Sequence, residues 1–209
     1  MDFELVFKIV LITTYSVFSI IRIEYYRLVK KAGYRTITME SKGYSLLLSI
    51  LICYEVATFF MYTFAPQWLA WATVPMPVWL RWTGAALAAI ALLAFIWIHR
   101  SLGSNFSAFL KMKDQQTLVI SGPYRWIRHP MYTTFYLLHI AAFLLTSNWF
   151  IGMTWTIGLT IVIALRIQRE ELMMMERFGD RYRLYMENTS RFIPSLRLNI
   201  LSRKKTNML

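Results

Sequence analysis

The 209-residue sequence holds one cysteine and three histidines, and that scarcity removes several chemistries at the outset. Cys53 has no second cysteine to meet, which excludes an internal disulfide and a cysteine metal cluster. His99, His129 and His139 form no His-x-x-x-His or Glu-x-x-His pair, and no metal site is predicted. No Gly-x-Gly-x-x-Gly follows a strand and no convincing βαβ unit occurs, so a soluble-type nucleotide fold is excluded. The first residues lack a basic leader and a small-residue cleavage site, and a basic cluster follows the first apolar run. Residues 5–23 are therefore expected to be kept as an anchor. Acidic residues are also few, 11 against 23 Lys and Arg.

What the chain has in abundance is apolar: 57% of residues are hydrophobic and the mean hydropathy is +0.43, in long blocks instead of a mixed periodic pattern. Five blocks, 5–23, 44–64, 78–98, 131–145 and 149–165, can cross or nearly cross roughly 30 Å of hydrocarbon. The fourth is short, so tilt or extension into the preceding loop is expected. The connections are brief and leave no room for a separate soluble domain. The expected fold is an all-α integral membrane bundle of five transmembrane helices forming one domain, 1–209. Residues 1–98 carry the first three spans, 99–194 the chemical motifs and 195–209 a basic tail.

The net charge of +12 could suggest nucleic acid, but position decides otherwise. Of the 23 basic residues, 21 fall in three stretches: six from Arg22 to Lys42, five from Arg100 to Arg128 and ten from Arg166 to Lys205. Only Lys8 and Arg81 lie elsewhere. The loop 65–77 and the turn 146–149 carry no charge, and Asp2 and Glu4 begin the chain. The positive-inside rule then predicts the N-terminus outside and the C-terminus cytoplasmic, the parity that five crossings require. The basic excess reads as topology and attraction to anionic lipid, with no nucleic-acid partner. Trp68, Trp71, Trp79, Trp82 and Trp149 flank the outer connections as interfacial anchors.

Between the third and fourth spans runs Gly122-Pro123-Tyr124-Arg125-Trp126-Ile127-Arg128-His129-Pro130-Met131-Tyr132, which puts Arg, His and Tyr where a loop enters a membrane helix. Pro130 suits the first helical position, because its φ is preset and its missing N–H would have lacked a partner anyway. His129 then falls at or near the N-cap, and the free amides that follow suit a carboxylate or another electron-rich group. Arg125 and Arg128 also read simply as inside-facing charges. At the end of the fifth span, Arg166 and Glu170 share a helix face while Glu171 points about a hundred degrees away. An Arg-to-Glu pair in that order adds only a few tenths of a kcal/mol, roughly, so helix stability gives little reason for it. A ligand carrying both an acid and an amine would use both residues. Glu55, near the middle of the second span, reads either as protonated and bonded to a neighbouring helix or as a substrate gate. Met175, Phe178, Tyr182 and Tyr185 form a helical stripe that reads as packing on the bundle.

The order Gly122-x-Tyr124-x-x-x-Arg128-His129-Pro130-x-Tyr132, then Arg166, Glu170-Glu171 and Phe178-Gly179-x-x-Tyr182-x-x-Tyr185, resembles the isoprenylcysteine carboxyl methyltransferase family, part of a membrane methyltransferase superfamily that includes phospholipid methyltransferases. The resemblance covers about 102–194. It implies S-adenosylmethionine as methyl donor, bound at the cytoplasmic membrane face. It further implies cofactor-binding roles for Gln116, Thr117, Leu118, Val119, Tyr124, His129, Pro130, Met131, Tyr132 and Glu170, with Lys111 as an added candidate. Arg166 would bind substrate, and Arg166 and Glu170 together would carry the reaction. Met131 stands where eukaryotic members usually have Ser. The acceptor implied is a lipophilic carboxylate such as a prenylated cysteine, reached through the bilayer; a phospholipid amine, a small thiol and a non-catalytic scaffold or carrier are the alternatives.

Overall fold

The computed structural model describes residues 2–31, 36–38, 41–106, 111–113 and 117–194. The basic tail 195–209 and Gln116 lie outside the described residues. Among the described residues six helices follow in chain order: α1 (Phe3–Lys31), α2 (Lys42–Phe64), α3 (Val78–Leu102), α4 (Pro130–Thr146), α5 (Trp149–Phe178) and α6 (Asp180–Asn188). Short 3-10 turns at Pro66–Ala72, Gly103–Asn105 and Gly122–Arg125 join them. The all-helical expectation needs one correction, a two-stranded antiparallel sheet. Strand β1 (Thr36–Thr38) pairs with β2 (Lys111–Lys113), Ile37 opposite Met112. Period-based reading overlooks so short a pairing, although Thr-Ile-Thr is β-branched throughout.

Helices α1, α2, α5 and the stretch Val78–Asn105 containing α3 are long and apolar enough to cross a membrane, while α4, at 17 residues, is shorter. At 1.5 Å per residue α5 is roughly 45 Å long and overshoots the hydrocarbon, whereas α4 reaches only about 26 Å. The overshoot of α5 carries Arg166, Glu170 and Glu171 beyond the apolar run without ending the helix. The bundle is an integral membrane protein, its outer apolar side chains such as Leu46, Ile50, Phe64 and Leu93 exposed as lipid contact requires.

Helix starts follow local chemistry. Ser41 caps α2 by accepting from the Tyr44 amide at 3.2 Å. Asn148 caps α5 through the Ile151 amide at 3.1 Å and donates to the Leu69 carbonyl at 2.8 Å. The center of the bundle is the α3–α4 contact, where Gly84 lets backbones approach: a Cβ there would stand 2.7 Å from the Leu144 Cβ. Phe7, Leu11, Ala88, Ala141, Leu145 and Trp155 pack around that contact. On α2, Glu55 lies 4.0 Å from His139 of α4, a close approach longer than a hydrogen bond.

Candidate active site

Pro130 occupies the first position of α4 with His129 as its N-cap residue, as the sequence predicts. His129 gives the first turn no side-chain cap, so the amides of Met131 and Tyr132 lack a capping partner. Its ring is turned elsewhere, with Nε2 3.2 Å from Glu171 Oε1 and the face stacked on Tyr132 at 5.5 Å.

Glu171 is the residue that sequence reasoning undervalued. Its carboxylate is buried and collects three basic side chains. Arg128 donates through Nε at 3.2 Å and Nη2 at 3.0 Å, Arg191 through Nε at 3.1 Å and Nη2 at 2.6 Å, and His129 adds the contact above. Bonding to Glu171 raises the pKa of the Arg191 guanidinium and holds it charged. Arg128 also donates to the Met186 carbonyl at 3.0 Å and to the Thr189 carbonyl. Backbone bonds run beside these, Arg128 N–H to Ser190 at 2.8 Å and His129 N–H to Arg191 at 2.9 Å. The motif loop, α5 and the segment after α6 are thereby locked together. The signal was available: the hundred-degree offset that separates Glu171 from Glu170 aims it inward at Arg128.

Gly179, at φ +52°, turns α5 into α6, a conformation that favours glycine. That turn brings Tyr182 and Tyr185 back over a cavity of about 150 Å³. Tyr185 donates to the Tyr124 carbonyl at 2.6 Å. Burial first, and then the Glu170 carboxylate, push the Tyr124 hydroxyl above the usual tyrosine range, so it stays a neutral donor. Tyr132 donates to Glu170 Oε2 at 2.5 Å, and Arg166 Nε lies 3.7 Å from the same oxygen. Asn105 accepts from the Thr117 amide at 2.8 Å and donates to its hydroxyl at 3.0 Å, setting the chain 117–119 along the rim.

Of the anticipated site residues, Thr117, Leu118, Val119, Tyr124, His129, Met131, Tyr132, Arg166 and Glu170 line this one cavity. Pro130 is buried and starts the helix without lining it. Lys111 belongs to β2. Tyr182 and Tyr185, read from the sequence as packing, line the cavity, and so do Met173 and Met174. Arg22 of α1, read only as a topology charge, lines it too. Among the described residues no group of three or more His, Cys, Asp or Glu could hold a metal ion. The cavity offers the Glu170 carboxylate and three guanidiniums, Arg22, Arg128 and Arg166, beside donors and an apolar wall, a set suited to a zwitterion and an acid held side by side.

The sequence model of the phospholipid methyltransferase family matches residues 79–181. The human protein-S-isoprenylcysteine O-methyltransferase is 25% identical over 156 residues, 73% of this chain and 55% of that protein. A methanethiol S-methyltransferase of Pseudomonas deceptionensis is 36% identical over 77 residues, 36% of this chain and 28% of that one. The chain thus spans about half the length of the isoprenylcysteine relatives it matches. Among solved structures it is similar to the eukaryotic intramembrane Ras methyltransferase ICMT. The TM-score is 0.52 at 22% identity, covering 76% of this chain and 54% of that one, which shows a shared fold.

Proposed function

We propose that this chain, matched by the phospholipid methyltransferase family model over 79–181 and similar to protein-S-isoprenylcysteine O-methyltransferases, is a membrane methyltransferase whose cavity carries out S-adenosylmethionine-dependent methylation of a lipophilic carboxylate, with an isoprenylcysteine-like acid as acceptor. The observation that carries this reading is the convergence of Glu170, Tyr132, Arg166 and the uncapped first turn of α4 on one cavity.

The residues fit that cofactor. Glu170, oriented by the Tyr132 hydroxyl, supplies an anion for its ammonium, and the amides at the α4 start suit its carboxylate. Leu118, Val119 and Met173 supply apolar wall for a nucleoside. When bound, S-adenosylmethionine supplies a methyl group on a sulfonium, which passes to a carboxylate oxygen with the S–C bond pair returning to sulfur and no proton released. Arg166 orients the acceptor carboxylate, and a moderate grip leaves the ground state uncommitted. His129 and Tyr132 shape the pocket without acting as bases. Water exclusion at the lipid boundary favours a step in which opposite charges cancel. The basic stretches 22–42, 100–128 and 166–205 support, by the positive-inside rule, a cavity open to the cytoplasm and an N-terminus outside.

A thiol acceptor is the second reading, favoured by the similarity to the methanethiol enzyme. The test is to incubate the purified chain in lipid discs with methyl-labelled S-adenosylmethionine and three acceptors: an S-farnesyl cysteine acid, an ethanolamine phospholipid and an alkyl thiol. Label on the acid supports the proposal, label on the thiol alone replaces it with the second reading, and no cofactor binding refutes both.

A further inference from the structure

Arg22 is the cavity residue that this reading leaves without a task. It stands on α1, far in sequence from the motifs, yet lines the same cavity as Arg166, Glu170 and Tyr132. Its Cζ lies 5.7 Å from the Phe135 ring centroid. That contact steadies the guanidinium and leaves N–H groups for a further partner. Among the described residues no carboxylate pairs with it. Glu170 is engaged by Tyr132 and Arg166, and Glu171 by Arg128, Arg191 and His129. A charged side chain at the lipid boundary is costly unless something anionic meets it.

Of the three arginines that line the cavity, Arg128 is engaged by Glu171 and Arg166 by Glu170, which leaves Arg22 without a carboxylate among the described residues. A sulfonium cofactor would add a positive charge beside it. An amine acceptor would bring another cation there, while a carboxylate would supply a counter-charge. The geometry points to Arg22 and Arg166 as a two-guanidinium clasp for a carboxylate, Arg22 reaching in from α1 beside Phe135 of α4 and Arg166 from α5. This rests on the methyltransferase reading and deepens it. Planar forks match a carboxylate in bidentate fashion, which a lone Arg166 already partnered by Glu170 does less well. Two carboxylates enter such a reaction, the acceptor's and the cofactor's own, and both present the same chemistry.

The experiment separates them with the full chain in lipid discs, comparing the wild type with Arg22→Gln and Arg22→Lys. In one arm, binding of the S-farnesyl cysteine acid is compared with its carboxamide; in the other, S-adenosylmethionine with its decarboxylated form. The expected result is that Arg22→Gln weakens the carboxylate-bearing member of one pair about tenfold and leaves its carboxylate-free partner within about twofold, with Arg22→Lys in between. The arm that responds names the carboxylate. Unchanged discrimination in both arms overturns the clasp, and so does a uniform loss across all four ligands, which marks a purely structural residue. A wild type that binds these ligands yet methylates none of the acceptors sinks the methyltransferase reading instead, because the binding comparison still reports on Arg22.

Discussion

At the end of the bundle where α1 and α3 begin, polar groups are spent on joining helices. Buried Arg81 pairs with Glu4 of α1 and donates to the Leu145 carbonyl of α4 at 2.8 Å, its guanidinium 4.3 Å from the Phe7 ring centroid. Asn148 ties the turn between α4 and α5 to the 3-10 segment 66–72, and the Val74 amide donates to Ser147 at 2.7 Å. At the opposite end Glu171 performs the same joining work for three basic residues. One residue earlier on the same helix, Glu170 faces the cavity with Arg166, while Arg22 faces it from α1. The contrast teaches how a small membrane protein frees charges for a ligand: neighbouring carboxylates divide the labour, the inner one stapling the scaffold and the outer one left to the site. At the Arg81 end the described charges are taken up by staples of this kind.

The largest effect should come from removing the inner staple. Glu171→Ala leaves Arg128 buried without its carboxylate and releases Arg191. The cost should be about 3–5 kcal/mol, the usual scale for a broken buried pair. Thermal unfolding in detergent should show a markedly lowered midpoint, with cofactor binding lost alongside. A variant of wild-type stability would show that the two carboxylates do not divide the work.

Next comes Arg81→Met at the other end. Its partner Glu4 is mostly exposed, so the change strands no buried charge, and the expected loss is about 1–3 kcal/mol from hydrogen bonds and packing. Cofactor affinity measured by calorimetry should stay within about twofold of wild type, since nothing near Arg81 lines the cavity. A tenfold fall in affinity would break the separation between the ends.

Much of this arrangement was legible in the sequence, and the parts that were not share a cause. Long apolar blocks located the helices, and Pro130 fixed where α4 begins, because both signals are local. The shortness of the fourth span and the helical face shared by Arg166 and Glu170 were legible too; what hydropathy leaves unmarked is where α5 stops, at Phe178, because a helix continues as long as its own hydrogen bonds and side chains allow. The pairing of β1 with β2 joins residues more than seventy positions apart, beyond any periodic signal. Arg22 and Glu171 were misjudged for the same reason: a charge's role depends on what meets it across helices. Counting Arg22 among inside-facing charges was compatible with its place and silent about Phe135.

Glu170→Gln tests the other half of the divided pair. The substitution keeps the shape and leaves an acceptor for the Tyr132 hydroxyl, so stability should change by less than about 1 kcal/mol. S-adenosylmethionine affinity should fall about tenfold, equivalent to about 1.4 kcal/mol, because the ammonium loses its counter-charge. Arg166→Lys should show the complementary pattern, with turnover of a carboxylate acceptor falling more than cofactor affinity, since the planar fork is lost while the charge remains. Wild-type kinetics in both variants would reduce the pair to a boundary salt bridge.

The smallest expected effect is at Tyr185, which adds one neutral hydrogen bond to the Arg128 contacts that already hold α6 against the motif loop. Its hydroxyl donates to the Tyr124 carbonyl at 2.6 Å, tying α6 to the motif loop. Tyr185→Phe keeps the ring that lines the cavity and deletes only that bond, for a stability cost of about 0.5–1.5 kcal/mol. The Tyr124 segment is also held by backbone bonds, Tyr124 N–H to Ser121 at 3.2 Å and Trp126 N–H to Pro123 at 3.2 Å, so it should keep its conformation. Cofactor affinity should therefore drop only about two- to threefold, less than for Glu170→Gln. Hydrogen exchange separates the possibilities: faster exchange confined to 121–127 and 180–188 means that α6 acts as a clasp on the site. A spread of the effect to the Arg81 end would mean instead that the two ends are one cooperative unit, and that stapling and ligand binding are not divided between them.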